Sequence, residues 1–110
     1  MQLNARAFPE WRTVPDSVYR LACKCGKRHR GPVAWVRCGI PSMARLDGRR
    51  GRLVVVHWCR LPSGVLVDSL DEAEKVLNWG CCGPCDPSQH ELYAVTRKTL
   101  PGDLPVKGEK

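Results

Sequence analysis

Seven cysteines in a chain of 110 residues constrain this sequence more than any other feature. Four of them form two close pairs, Cys23 with Cys25 and Cys82 with Cys85. The count is odd, which a closed disulfide framework does not favour. A chain this short buries a limited share of its surface, so a cross-link or a bound metal would supplement its core. The cysteines are therefore the first candidates for what stabilises the fold.

No segment of the sequence predicts export or membrane insertion. Residues 1–12 lack the apolar stretch and the small-residue cleavage site of a secretory signal. No run approaches the ~18 apolar residues needed to span a bilayer. We therefore expect a cytoplasmic protein with no membrane partner, in a reducing compartment where disulfides are rare. Cysteines in such a compartment are expected to be metal ligands or buried thiols.

The two cysteine pairs predict a structural zinc site. Zn²⁺ in such sites is tetrahedral and takes four ligands, usually cysteine thiolates and histidine nitrogens. Gly26 follows the first pair and Gly83-Pro84 lies inside the second, as expected where the backbone turns sharply around a metal. The predicted ligands are Cys23, Cys25, Cys82 and Cys85.

The spacing leaves alternatives open for completing this site. Cys81 could take the place of Cys82, and His29 follows the first pair closely enough to bind the same ion. His90 is a weaker candidate. Four thiolates would also suit an iron–sulfur cluster, although zinc is the simpler assignment.

The two pairs resemble the generic zinc-ribbon or zinc-knuckle plan, in which two short cysteine knuckles distant in sequence close one metal site. The resemblance covers only these two segments. The common first knuckle of that class has two residues between its cysteines, whereas here Lys24 is alone between them. The resemblance implies a zinc-ribbon-like metal site within the predicted fold.

The remaining cysteine patterns do not predict catalysis. Cys38 and Cys59 fall in strand-like apolar runs, and free cysteine in such runs behaves as a small buried hydrophobe. The segment 82–85 spells the thioredoxin active-site motif, but it follows a predicted helix instead of opening one. His57 and Cys59 share one face of a predicted strand, which favours burial over a nucleophile pair. We therefore expect no enzyme.

Apolar patterning predicts a small α+β domain with a mostly antiparallel sheet and one main helix. Strands are predicted over residues 18–23, 33–38, 53–60, 65–67 and 92–98, with a turn at 61–64 that makes the third and fourth a hairpin. Asp68 or Ser69 is expected to cap the helix, Leu70, Ala73 and Leu77 to form its buried stripe. Residues 1–17 are predicted to be an extended arm, 18–98 the zinc-stabilised domain and 99–110 a polar tail.

The charge distribution favours a polyanionic or acidic partner. Residues 1–60 carry 13 lysines and arginines against 3 acidic residues, whereas residues 61–110 carry 5 against 8. Such asymmetry suggests that one face of the molecule meets nucleic acid or an acidic protein surface. The candidate contacts are Lys24, Lys27, Arg28, Arg30, Arg45, Arg49, Arg50, Arg52 and, for base stacking from the arm, Trp11.

Three functional hypotheses follow from these features. The first is a zinc-binding module that binds nucleic acid or a nucleic-acid machine through its basic N-terminal half. The second is a small adaptor or inhibitor, such as a bacterial or phage regulator, that docks on an acidic protein surface. The third, which the cysteine context supports least, is a thiol-redox enzyme.

Overall fold

The structure is a computed structural model that describes residues 11–23, 25, 29–58, 61–79 and 89–109. Within these residues the chain forms six strands and two α-helices. The strands are β1 (Val18–Arg20), β2 (Arg45–Asp47), β3 (Leu53–His57), β4 (Ser63–Val67), β5 (His90–Ala94) and β6 (Val106–Glu109). The helices are α1 (Pro32–Gly39) and α2 (Leu70–Leu77), and a short 3-10 helix spans Pro101–Asp103.

All six strands form one sheet in the order β2-β4-β3-β5-β1-β6. The prediction of an α+β fold is confirmed, and so is the antiparallel hairpin of β3 and β4. The prediction of a mostly antiparallel sheet is wrong, because β1 runs parallel to both β5 and β6, and β2 runs parallel to β4. These parallel pairs join strands of three to five residues that are distant in sequence, so local patterning could not indicate their direction.

Strand β3 is the centre of the core because all five of its residues are buried. Successive strand side chains point to opposite faces of a sheet. Leu53 and Val55 pack with helix α2 on one face, whereas Val54 and Val56 pack with helix α1 on the other. The sheet therefore lies between the two helices, with a separate apolar cluster on each side.

Helix α2 forms as its sequence predicts. The Ser69 side chain accepts a hydrogen bond from the Glu72 backbone N–H at 3.1 Å, which satisfies a free donor of the first turn. Ala73 and Leu77 are fully buried against the sheet. The helix stops at Leu77, two residues before the exposed Trp79.

Residues 32–39 form helix α1, so the prediction of a strand over 33–38 is wrong, and the sheet is flanked by two helices of equal length rather than one main helix. Pro32 occupies the first turn, where its fixed φ suits a helix and its missing N–H costs nothing. Val33, Val36 and Ile40 are spaced to lie on one helical face, and all three pack in the apolar cluster beside α1. In so short a run this spacing is hard to distinguish from strand alternation.

Both segments predicted to flank the domain make contacts with it. In residues 99–110, Leu100 and Leu104 are buried, and β6 lies at the edge of the sheet beside β1. In the predicted arm, the Arg12 backbone N–H donates to the Asn78 side-chain oxygen at 2.9 Å, and Val14 packs against the core. None of the helices within the described residues is long and apolar enough to cross a membrane.

Candidate metal centre

Three cysteines and a histidine meet where the chain leaves β1 and where helix α1 ends. Cys23 and Cys25 follow β1, and His29 lies just before α1. Cys38 is in the last turn of α1. One thiol sulfur from each cysteine and one ring nitrogen of the histidine all lie within 4.8 Å of one another.

Two contacts bring the helix end against the strand exit. The Trp35 indole N–H donates to the Leu21 carbonyl at 2.8 Å, and this joins α1 to the chain just before Cys23. At Gly39, a side chain would place its Cβ 2.8 Å from the Ala22 carbonyl oxygen, a separation that real Cβ atoms essentially never show. The backbone approach at Gly39 therefore allows the neighbouring Cys38 to reach Cys23.

The distances within the group are those of converging donors. The Cys23 Sγ lies 3.1 Å from the Cys25 Sγ and 2.8 Å from the His29 Nε2. The Cys25 Sγ lies 3.3 Å from the same nitrogen. The structure joins Cys23 and Cys38 by a disulfide, with Cα atoms 5.8 Å apart, so these two sulfurs can bind a metal ion only when that bond is reduced. Three sulfurs and one imidazole nitrogen around a common point form a donor set that could hold a metal ion.

The predicted ligands fall into two groups. The structure brings together Cys23, Cys25 and the alternate His29. The second predicted pair, Cys82 and Cys85, lies outside the described residues, as does the alternate Cys81. Their part in metal binding therefore stays a prediction.

His90, the weaker candidate, does not lie in this group. It is fully buried, stacks on His57 with ring centroids 3.9 Å apart, and its Nδ1 donates to the Leu77 carbonyl at 2.7 Å. Burial and the neighbouring His90 lower the pKa of His57, while its hydrogen bond to the Val76 carbonyl acts in the opposite direction. Both rings therefore serve the packing of α2 against the sheet.

Sequence reasoning missed Cys38 as a member of the group. Cys38 was interpreted as a buried thiol of a strand, whereas it is half-buried and lies in α1. The error follows from the wrong element, because a strand over 33–38 gives no reason for Cys38 to return toward β1. The signal that could have found it is Pro32, a residue typical of a first helical turn.

An open groove of about 950 Å³ lies beside the metal centre, and Cys23 and His29 line one end of it. Its basic lining residues are Arg30, Arg52, Arg97 and Lys98. Only the first two were predicted as partner contacts. The other two come from the loop after β5, in the acidic half of the sequence, where a charge count over residues 61–110 hides them.

The other predicted partner contacts are dispersed. Arg45 is paired with Asp47 on strand β2, at the opposite sheet edge from β6, and Arg49 and Arg50 are exposed in the loop that follows. Trp11 is 59% exposed. Lys24, Lys27 and Arg28 lie outside the described residues.

No family model, curated protein or solved structure matches this chain. The fold and the donor set define its class: a small α+β protein with a three-cysteine, one-histidine group that could hold a metal ion.

Proposed function

We propose that this chain is a non-enzymatic zinc-binding module in which Cys23, Cys25, His29 and Cys38 hold one structural ion. The observation that carries the proposal is the convergence of four soft donor atoms within 4.8 Å. Four protein ligands are the number a closed structural zinc site requires, whereas catalytic zinc keeps one position for water or substrate. Sulfur and imidazole donors favour zinc over hard cations such as Mg²⁺ or Ca²⁺.

A disulfide alone accounts for less of this geometry than a metal ion does. A bond between Cys23 and Cys38 would use two of the four donors. It would not explain why the Cys25 thiol and the His29 ring lie so close to them. A single ion uses all four. An ion would also cross-link the segment after β1 to the end of α1. Such a cross-link adds stability to a domain with a small core.

The metal proposal is tested by elemental mass spectrometry of the protein purified under reducing conditions. We expect about one zinc per chain and a large loss of stability on chelation, since structural zinc contributes roughly 10 kcal/mol in small metal-dependent domains. Thermal unfolding with and without a strong chelator measures that loss. Metal-free protein with Cys23 and Cys38 oxidised, and with unfolding indifferent to chelator, would overturn the proposal.

We propose nucleic acid, or a machine that acts on it, as the partner of this module. The support is the excess of exposed arginines in residues 29–58, including Arg30, Arg49 and Arg50. Arginine suits phosphate recognition because its planar fork donates two hydrogen bonds at once. Salt-dependent binding of generic oligonucleotides is the measurement that tests it. Binding to acidic peptides with no affinity for oligonucleotides would point instead to an adaptor that docks on a protein surface.

A further inference from the structure

The groove beside the candidate metal centre is a concave feature of the described residues that could take a ligand. One wall comes from the metal-binding segment and α1, through Arg30 and Trp35. Arg52 and, from the loop after β5, Arg97 and Lys98 also line the groove. Its volume of about 950 Å³ lies within the range of sites that bind small molecules or short polymer segments.

The lining of the groove carries an excess of positive charge. Four basic residues face two acidic ones, Asp68 and Glu109. Asp68 is held by Arg52, whose Nε lies 2.7 Å from its carboxylate, and this hydrogen bond lowers the pKa of the Asp68 carboxyl group. Glu109 lies 3.8 Å from Arg97. The acidic groups are thus both matched, and the charges of Arg30 and Lys98 are in excess.

The basic residues divide into one that supports the wall and three that can meet a ligand. Arg52 donates to Asp68 and, at 2.8 Å, to the Thr99 carbonyl, so two of its guanidinium donors already have partners within the protein. Arg97 packs its guanidinium 5.5 Å from the centroid of the Trp35 ring. This cation–π contact restricts the orientation of Arg97 before any ligand arrives. Arg30 and Lys98 are also exposed.

We infer that this groove binds the sugar-phosphate backbone of single-stranded nucleic acid, with Arg30, Arg97 and Lys98 contacting phosphates beside the Trp35 ring. The inference rests on the proposed function and locates its nucleic-acid binding site in this groove. A cationic groove with an aromatic wall is the usual site for single strands, which can follow a concave surface and expose their bases. A duplex keeps its bases stacked and presents a convex surface that such a groove does not follow.

The test compares two double variants that remove the same charge from different places. Arg97→Gln/Lys98→Gln removes two cations from the groove, and Lys75→Gln/Lys107→Gln removes two exposed cations that neither line it nor belong to the candidate contacts. Each protein is titrated into labelled twelve-nucleotide oligo(dT) and oligo(U) at several salt concentrations, with binding followed by fluorescence anisotropy. Circular dichroism and zinc content establish that each variant is folded and loaded.

We expect the groove variant to weaken binding about ten-fold and to lower the salt slope by about 1.4, the value for two phosphate contacts on a single strand. The Lys75/Lys107 control is expected to change affinity less than about two-fold, because long-range charge alone contributes little at physiological salt. If both variants weaken the binding seen for the wild type equally, the groove is not the binding site, and the proposed function still stands.

Two further outcomes separate the inference from the function on which it rests. Tighter binding of a twelve-base-pair duplex, unaffected by the groove variant, would also overturn the groove while retaining a nucleic-acid partner. No wild-type binding to any oligonucleotide at low salt would overturn both. A twelve-residue polyglutamate peptide that binds as tightly as oligo(U) would show that the groove selects charge and not nucleic acid, which contradicts the inference.

Discussion

His57 and His90 stack face to face between the sheet and helix α2, with their ring centroids 3.9 Å apart. Each ring donates an N–H to one of the last carbonyls of the helix, His57 to Val76 at 3.2 Å and His90 to Leu77 at 2.7 Å. Both rings are buried. The pair therefore secures the C-terminal end of α2 to strands β3 and β5.

The lowered pKa of His57 predicts a loss of stability in mild acid. A group whose pKa is lower in the folded than in the unfolded state binds its proton more tightly after unfolding. Acid therefore shifts the equilibrium toward the unfolded state. Its stabilising contribution is full above the ordinary histidine pKa near 6.5 and declines as the pH falls below that value. We expect urea midpoints to fall between pH 7 and pH 5.

The variant His57→Leu isolates this effect from the titration of the metal ligands. It should be less stable at pH 7, because the Val76 carbonyl loses the His57 N–H and keeps the Trp79 backbone N–H as its donor. Its midpoint should nevertheless depend less on pH than that of the wild type. Parallel pH profiles for the two proteins would show that His57 does not contribute to the acid sensitivity.

Removing Cys38 is expected to abolish stoichiometric metal binding, because it contributes one of the four donors of the group. Cys38→Ser should be purified with well under one zinc per chain and should unfold at a lower temperature, as expected where metal binding contributes folding energy. The matched control is Cys82→Ser/Cys85→Ser, which should retain zinc if the four-donor group is complete. Loss of zinc from the control would show that Cys82 and Cys85 contribute to metal binding.

Gly39→Ala is expected to destabilise the protein by about 1–3 kcal/mol, the usual cost of inserting a methyl group where none fits. The new Cβ would lie 2.8 Å from the Ala22 carbonyl and the Leu21 side chain, and would separate α1 from the exit of β1. Zinc affinity should fall as well, since Cys38 would move away from Cys23. Gly31→Ala is the control, because a Cβ there meets nothing within 4 Å. Denaturant titration and competition with a zinc chelator measure the two effects.

Ser69→Ala should cost about 1 kcal/mol of stability, the typical value for removing a helix N-cap. The Ser69 side chain accepts from the Glu72 N–H, and alanine would leave that donor without a protein partner. Thr99→Ala is a suitable control, because Thr99 is exposed and the structure uses its backbone carbonyl alone in binding Arg52. Equal urea midpoints for Ser69→Ala and the wild type would show that water replaces the cap without cost.

The sequence predicted best the elements whose residues interact locally. The cap at Ser69, the buried stripe of α2 and the β3–β4 hairpin all depend on neighbours in the chain. The parallel direction of β1 depends on partners more than seventy residues away, such as Tyr93 opposite Tyr19, and no local pattern records that.

The candidate site shows the same division. Cys23, Cys25 and His29 are close in sequence. The sequence predicts the two cysteines as ligands and the histidine as an alternate. Cys38 joins them only because α1 is a helix and because Gly39 permits a close backbone approach. Arg97 and Lys98 reach the groove through the pairing of β5 with β1, a long-range contact that charge counts along the chain do not indicate.

The position of β1 between β5 and β6 has a consequence for the order in which the protein is made. The four candidate ligands lie between residues 23 and 38, so a ribosome delivers the complete set before strands β5 and β6. Strand β1 must then wait for both of its neighbours, which emerge only after residue 90. Because chains fold as they are synthesised, the nascent protein would present the candidate ligands to a metal ion before its sheet can close. Metal loading would then precede folding of the sheet, with the ion protecting reactive thiols during the interval.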